Sequence, residues 1–480
     1  MNHRIIAYTV GRIIRMEAIL LLLPLLVAIL YRESTVPAFL YTIGGTALLG
    51  TVLAWRKPKN DALYAKEGLL IVAMSWIVLS LLGAMPFFLS GEIPNIIDAF
   101  FETVSGFTTT GASILTNVEA MSRGLLFWRS FTHWIGGMGV LVFVLALMPR
   151  FDVGAIHIFR AEIPGPTADK IVSKLQVTAR ILYGIYIAIT VAEIALLAFG
   201  GMPLFDSMVN TFGTVGTGGF AIKNASIAAY GNLYFEIVIT IFMIISGINF
   251  NLFYLILLGN FRQAFRSKEL RWYLGIMLAS MLFIAFNLLS TYESFAEALR
   301  VSSFQVASIM TTTGFATANY GTWPVFSQVL LLLLMFIGAS AGSTGGGLKV
   351  SRVMLLLKSA WHEMRRTIHP HAVMSVKHEG KPMDRAIIQG VHAYFILYII
   401  VFVLSVLLLS LNGFDFATTF SAVLACFNNI GPGIGAVGPA GNYAGFHDAG
   451  KLLLSFIMLA GRLELFPILM LFSINMWKNH

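Results

Sequence analysis

Charged residues are scarce: Lys and Arg number 32 and Asp and Glu 23 in a chain of 480, or 11%, where an ordinary soluble domain carries roughly 25%. With 57% hydrophobic residues and a mean hydropathy of +0.81, that scarcity excludes a soluble globular domain. Cysteine is nearly missing as well. Cys426 stands alone, so no internal disulfide can form, and in its apolar segment it reads as a small packed side chain. Catalytic signatures are absent: there is no G-x-S-x-G, no H-E-x-x-H and no Walker A loop. GSTGGGLK (342–349) has the composition of a phosphate loop, but membrane spans flank it, not a soluble strand and helix. His369 and His371 are a poor metal pair, because Pro370 between them forces extended backbone and no cysteine accompanies them.

What is present is apolar sequence in long runs, such as AILLLLPLLVAIL (18–30), VLLLLLMFIGA (329–339) and YFILYIIVFVLSVLLLSL (394–411). They are spread along the whole chain and predict an integral membrane protein. The formal charge of +9 does not form the continuous basic face that nucleic acid requires, so no nucleic-acid partner is expected. Basic residues collect instead in short connections: Arg4, Arg12 and Arg15; Arg56, Lys57, Lys59 and Lys66; Arg150, Arg160, Lys170, Lys174 and Arg180; Arg262, Arg266, Lys268 and Arg271; and Lys349 through Arg385. By the positive-inside rule these are cytoplasmic. Arg123, Arg129, Lys223 and Arg300 fall on the outer side as a minority. The basic, then apolar N-terminus lacks a good cleavage site near Val36-Pro37-Ala38 and reads as a retained first span.

A unit of roughly a hundred residues repeats four times. Its centre is a short segment that starts near an acidic residue and an aromatic and ends in a glycine-bearing turn. The copies are IIDAFFETVSGFTTTGAS (96–113), LFDSMVNTFGTVGTGGFA (204–221), FAEALRVSSFQVASIMTTTGFA (295–316) and FDFATTFSAVLACFNNIGPGIG (414–435). Long apolar runs precede each copy (69–90, 181–200, 273–290, 391–411) and follow it (124–149, 233–258, 325–357, 451–475). Each unit therefore reads as helix, re-entrant hairpin, helix. Bare backbone at membrane depth must be enclosed by protein or line a watery cavity, so four hairpins imply one central axis. Spans at about 10–31 and 36–55 precede the first repeat, giving about ten in all with both termini inside.

The expected fold is an all-α polytopic membrane protein: four membrane-helix, pore-hairpin, membrane-helix repeats in pseudo-fourfold array behind an extra N-terminal helix pair. The units are a helix pair at 1–60 and pore repeats at 61–160, 161–265, 266–370 and 371–480.

The hairpins suit a dehydrated monovalent cation, which needs oxygen ligands in place of water; rings of backbone carbonyls supply them without fixed charge. Aiming successive carbonyls at one axis requires unusual φ/ψ, which glycine tolerates. The candidate filter segments are Thr108, Thr109, Thr110 and Gly111; Gly216, Thr217, Gly218 and Gly219; Thr311, Thr312, Thr313 and Gly314; and Asn428, Asn429, Ile430 and Gly431. Threonine hydroxyls can bond behind the strand. The preceding short helices would turn their partly negative ends toward the cavity.

These residues resemble the Trk/Ktr/HKT superfamily of potassium transporters, and most closely its bacterial Trk-type membrane subunit. The matching stretches, spread over the whole chain, are DAFFETVSGFTTTGAS, RAEIPGP (160–166), GGF (218–220), AGSTGGGLKV (341–350), NNIGPGIG (428–435) and GRLELF (461–466). The resemblance implies K+ as the transported ion with no bound organic cofactor. It also implies a homodimer in the lipid of a bacterial inner membrane, and a cytosolic nucleotide-binding regulatory subunit (TrkA-like). The second hairpin, GTVGTGGF, is richer in glycine than its sisters, and no strand carries a full TVGYG, which puts strict rejection of sodium in doubt.

The second helix of repeat 3 is interrupted by GASAGSTGGGLKV (338–350), which cannot sustain a regular helix at low cost. It is the expected gate below the filter, as in the resembling family, with Gly342, Gly345, Gly346, Gly347 and Lys349 as its residues. Arg462, deep in the last span, needs a cavity or partners; the carbonyls of 341–347 are the expected ones, since Glu464 does not share its helical face. Segment 358–385, with Lys358, Arg365, Arg366, Lys377 and Lys381, is a docking surface for a regulatory subunit or for anionic headgroups. Two rivals stand beside the potassium pore: a sodium-permeable or proton- or sodium-coupled symporter on the same scaffold, and an intramembrane enzyme using His133, Asn249 or Asn251.

Overall fold

The structure, a computed structural model, describes residues 2–58, 64–139, 175–369, 377–378 and 381–473. RAEIPGP, Lys59, Arg150, Arg160, Lys170, Lys174, His371 and the end of the run at 124–149 lie outside the described residues. Within them the chain is all-α apart from a two-residue antiparallel ladder, Lys377–His378 with Lys381–Pro382.

The N-terminal pair is α1 (His3–Leu20), continued almost directly by α2 (Leu22–Leu30), and α3 (Val36–Leu53). Each repeat then opens with a long first helix: α4 (Ala65–Gly83) with its short extension α5 (Met85–Leu89), α8 (Leu175–Phe199), α12 (Lys268–Asn287) and α16 (Arg385–Leu409). Among the described residues six helices, counting α1 with α2, are long and apolar enough to cross a membrane by themselves. Their outer faces carry Leu278, Phe283, Ile396, Val403 and Leu407, all exposed, as lipid contact requires.

Between first and second helices sit the short helices expected in the pore hairpins, α6 (Ile96–Phe107), α9 (Leu204–Val215), α13 (Phe295–Met310) and α17 (Phe416–Phe427). At 12, 12, 16 and 12 residues they are too short to span. The acidic residue noted in each copy has a local cause. Asp98, Asp206 and Glu297 lie in first turns, and Asp415 is itself the N-cap, accepting the Thr418 N–H at 3.1 Å; negative charge there complements the helix dipole. Asn95 and Ser294 cap α6 and α13 in the same way.

The second helices differ from the sequence reading. The break expected only in repeat 3 recurs in repeats 2 and 4. In repeat 2, α10 (Leu233–Ser246) and α11 (Phe250–Leu257) meet at 90°. In repeat 3, α14 (Val325–Ile337) and α15 (Val350–Ile368) are separated by residues 338–349. In repeat 4, α18 (Asp448–Arg462) stops before α19 (Phe466–Met470), with Glu464 at φ +58° and Leu465 at +66°. In repeat 1, α7 (Arg123–Gly137) ends at the same stage of its unit. Gly247-Ile248-Asn249 in repeat 2 and Leu463-Glu464-Leu465 in repeat 4 lack the glycine clustering that exposes the third break in the sequence.

Candidate functional site

Each of these short helices runs straight into its candidate filter segment, and the backbone N–H groups there are taken by the helix just finished. The third residue of every segment donates to the carbonyl five positions earlier: Thr110 to Ser105 (2.9 Å), Gly218 to Gly213 (2.8 Å), Thr313 to Ser308 (2.8 Å) and Ile430 to Ala425 (2.9 Å). First and second residues likewise bond back into the last turn. With the N–H edge turned toward the helix, the carbonyl edge faces away from it. Of the filter carbonyls, only those of Gly216 and Gly431 accept a hydrogen bond from any described residue, the first from the neighbouring Thr217 hydroxyl and the second from Tyr443.

Handedness alternates along every segment. The second residue is left-handed (Thr109 φ +55°, Thr217 +54°, Thr312 +61°, Asn429 +56°), and so is the fourth (Gly111 +78°, Gly219 +74°, Gly314 +85°, Gly431 +90°). In an ordinary strand successive carbonyls point to opposite sides; inverting every second residue turns them to one side. Glycine therefore meets only half of the demand. Three β-branched threonines hold a conformation that costs them roughly 1–3 kcal/mol each, strain that the surrounding bonds must hold in place.

The four segments close into a ring. A Cβ on Gly111 would lie 2.0 Å from the Gly218 carbonyl oxygen, one on Gly219 1.9 Å from that of Thr313, one on Gly314 2.1 Å from that of Ile430, and one on Gly431 2.6 Å from that of Thr110. Repeat 1 thus abuts 2, 2 abuts 3, 3 abuts 4 and 4 returns to 1. The ring glycines floor an outer cavity of about 150 Å³.

Side chains brace the ring from behind. Thr108 and Thr110 pair through their hydroxyls at 2.7 Å, as Thr311 and Thr313 do at 2.8 Å. Segment 4 uses amides instead: Asn428 accepts from the Tyr398 hydroxyl (3.0 Å), and the Asn429 amide donates to Thr110 Oγ1 and the Met458 carbonyl, both at 3.0 Å. His133 contacts the Gly106 carbonyl through Nδ1 (2.7 Å), lies on Phe220 and packs against Gly218. Asn249 caps α11, and Asn251 lines a different cavity. The trio named for an enzyme is thus dispersed.

A second bracing position escaped the sequence reading. Six residues before each segment stand Glu102, Asn210, Gln305 and Ala422. Glu102 accepts from the Ser113 hydroxyl (2.9 Å) and the Ile114 N–H (3.0 Å), where chain leaves segment 1. Gln305, its amide oxygen turned inward, accepts from the Thr317 and Ala318 N–H groups at 2.8 and 3.2 Å. Asn210 donates to Tyr230 beyond segment 2 (3.0 Å), and in repeat 4 Ser421, one place earlier, clips Ile434. The recurrence of Glu, Asn and Gln at one offset was the available signal. Glu102 also pairs with Arg129 at 2.6 Å, both fully enclosed, and Arg129 lies 3.5 Å over the Phe220 ring. Arg129, one of the charges counted on the outer side, is thus enclosed by protein beside the outer cavity.

Beneath the ring, residues 338–349 press against it. A Cβ on Gly345 would lie 2.8 Å from the Thr311 carbonyl oxygen and one on Gly346 2.2 Å from that of Asn428, while the Gly346 N–H donates to Thr312 Oγ1 at 2.6 Å. The loop is tied into the kink of repeat 2: Ser340 N–H to the Gly247 carbonyl (3.1 Å), Thr344 Oγ1 to the Ser246 carbonyl (3.1 Å), and Phe250 N–H to the Gly342 carbonyl (3.0 Å). Glu269 accepts from the Ala341 N–H at 2.7 Å. Lys349, left-handed at φ +75°, donates back to the Gly345 carbonyl, and Gly347, at +80°, packs on Gly338.

Arg462 reaches one of its expected partners, the Thr344 carbonyl, at 2.8 Å. It also donates to the Gly136 and Gly137 carbonyls at the end of α7, the latter at 2.8 Å, so it joins repeats 1, 3 and 4. Glu464 turns away to Arg352 on α15. An inner cavity of about 70 Å³, lined by Gly345, Gly346, Gly347, Lys349, Arg462 and Glu464, lies on this side. At the far end of α15, Arg365 and Arg366 are exposed and His369 ends the helix.

Comparison with known proteins agrees with this architecture. The TrkH family, described as cation transport proteins, matches residues 36–479. The chain is 39% identical to the Trk system potassium uptake protein TrkH of Salmonella typhimurium and 38% identical to that of Escherichia coli, each over the full length of both chains. It is 34% identical to the potassium uptake protein TrkG of Escherichia coli, over 99% of both. The crystal structure of the potassium transporter TrkH from Vibrio parahaemolyticus superimposes with a TM-score of 0.89 at 33% identity, covering both chains completely.

Proposed function

This chain belongs to the TrkH family of cation transport proteins, a multi-pass membrane family and not one of enzymes, and on that premise we propose that it conducts potassium into a bacterial cell across the inner membrane. The observation that carries the reading is the ring of filter carbonyls, of which all but those of Gly216 and Gly431 lack a hydrogen-bond donor among the described residues. Buried backbone carbonyls are paired in the great majority of cases, and an unmet one costs roughly 1–3 kcal/mol. A closed ring of them in the apolar core has a physical rationale when a dehydrated cation takes the vacant lone pairs. The relatives' names as potassium uptake proteins point to K+ as the ion. The membrane potential drives it inward.

In this reading residues 338–349 are the gate. Gly345 and Gly346 stand where the ion must leave the filter, and the guanidinium of Arg462 adds positive charge below them. Opening requires the loop to leave Thr312 and Thr344 to leave Arg462. The exposed basic end of α15 is the lever on which a cytosolic nucleotide-binding subunit acts, and a second copy of the chain packs alongside in the lipid.

The test is ion flux in proteoliposomes holding the purified chain, comparing potassium, rubidium and sodium with and without a pH gradient. Saturable potassium and rubidium flux that needs no pH gradient supports the pore. Flux locked to protons or sodium in fixed ratio replaces it with a coupled symporter, and absence of cation flux removes the filter reading altogether.

A further inference from the structure

The fourth filter segment departs from the other three at its outer end. Among the described residues, the Gly111, Gly219 and Gly314 carbonyls accept no hydrogen bond, whereas that of Gly431 takes the hydroxyl of Tyr443 at 2.7 Å. Tyr443 is enclosed, with 2% of its surface exposed. Its hydroxyl also lies within bonding reach of the Cys426 thiol, on the last turn of α17, which places it on the pore-helix side of the strand. The ring is wedged between Phe101, 5.6 Å away on α6, and Phe446, 5.8 Å away. Its own N–H is bonded to the Ser113 carbonyl at 2.8 Å. The tyrosine is thus pinned from several directions, and its hydroxyl can hold the carbonyl in one place.

The other edge of the same peptide is consistent with that placement. Pro432 Cδ would lie 2.9 Å from a Cβ on Gly314, and Pro432 lines the outer cavity, so the nitrogen edge of the Gly431–Pro432 peptide faces the ring while its oxygen faces Tyr443. Any other residue at 432 would bring an N–H donor toward a cation; proline has none. Tyr320, from repeat 3, donates to the Pro432 carbonyl at 3.3 Å and steadies the arrangement from the other flank.

We propose that Tyr443 is a specificity-determining positioning residue: by drawing the Gly431 carbonyl behind the strand it leaves the outermost ion position three-sided, formed by Gly111, Gly219 and Gly314. This rests on the filter reading above and refines it. A high coordination number favours a larger ion over a smaller one, around which the oxygens crowd sooner, and ligand number is one recognised source of potassium preference. A three-sided outer position therefore discriminates weakly against sodium, and the deeper levels carry the selection.

The experiment uses the full-length protein in planar bilayers, with potassium on one side and sodium on the other, and reads the permeability ratio from the reversal potential. In Tyr443→Phe the freed peptide turns its oxygen inward, and the potassium-over-sodium ratio rises about fivefold, the effect of losing one hydrogen bond. A ratio within twofold of the parent, or a lower one, overturns the proposal. Pro432→Ala tests the same orientation without touching the tyrosine: an N–H placed toward the ion path cuts potassium current about tenfold, and an unchanged current overturns the proposal. Phe446→Leu loosens the aromatic packing but keeps the hydroxyl; a fivefold shift there would assign the effect to packing and overturn it too. If the parent protein carries no potassium current, the filter reading itself fails; if it does and either Tyr443→Phe or Pro432→Ala matches it, only the role of Tyr443 fails.

Discussion

Replacing Arg462 with alanine should open the pore. Of the carbonyls of described residues that its guanidinium holds, those of Gly136 and Gly137 belong to α7 and that of Thr344 to the loop. Movement of the loop has to break only the last. A hydrogen bond from a charged donor contributes roughly 1.5–3 kcal/mol; taking about 2 kcal/mol, its loss shifts the ratio of open to closed pores by roughly 30-fold. The side chain also places a positive charge beside the exit, so conductance through each open pore should increase or stay level. Single-channel recording separates the two effects, because open fraction reports the tether and unitary current reports the charge. Arg462→Lys, which keeps the charge and loses the planar fork, should raise open fraction with unitary current unchanged. An alanine variant with parental open fraction would refute the gate assignment.

Further substitutions test neighbouring parts of the argument. Gly219→Ala and Gly314→Ala should abolish potassium flux while the protein still inserts, since the new methyl would sit 1.9 or 2.1 Å from the next segment's carbonyl oxygen at a left-handed φ; rubidium uptake against surface-labelled protein level measures both. Thr312→Val leaves the Gly346 N–H without its acceptor, a loss of roughly 1–3 kcal/mol that should raise open fraction about tenfold in the same recordings. Glu102→Ala strands Arg129 in an enclosed site and should destabilise by roughly 3–5 kcal/mol, read as a lowered melting temperature in detergent. The double change Glu102→Gln with Arg129→Leu should recover most of it, because repeat 3 has Gln305 at the first position and, counted from the helix start, Leu331 at the second.

Local chemistry was legible in the sequence and distant chemistry was not. Four glycines, each following an acidic helix start within one short segment, announce a backbone that needs positive φ, and a cluster such as GSTGGG announces a broken helix, because both signals lie within one short stretch. The threonines at the second filter position gave no such sign: Thr109, Thr217 and Thr312 are left-handed against their own preference, imposed by the ring. The breaks at Gly247-Ile248-Asn249 and Leu463-Glu464-Leu465 were hidden for a related reason, as tertiary bonds to the loop and to Arg352 hold them. Arg462 was recognisable as a buried charge in need of carbonyls, and those of the loop were foreseen. Gly136 and Gly137 lie 326 and 325 residues away, a separation that no spacing rule reaches. Glu102 and Gln305 were visible at equal offsets, but their role emerges only where the chain folds back over each pore helix.

The closure of the ring by four segments of a single polypeptide has a bearing on how such a protein can change over time. In an assembly of identical subunits one codon alters every wall at once, and a harmful alteration is felt four times. Here a codon touches one wall. Threonine pairs could persist in the first and third while the second gave them up for glycine and the fourth recruited asparagines and a tyrosine, each step checked against three unaltered neighbours.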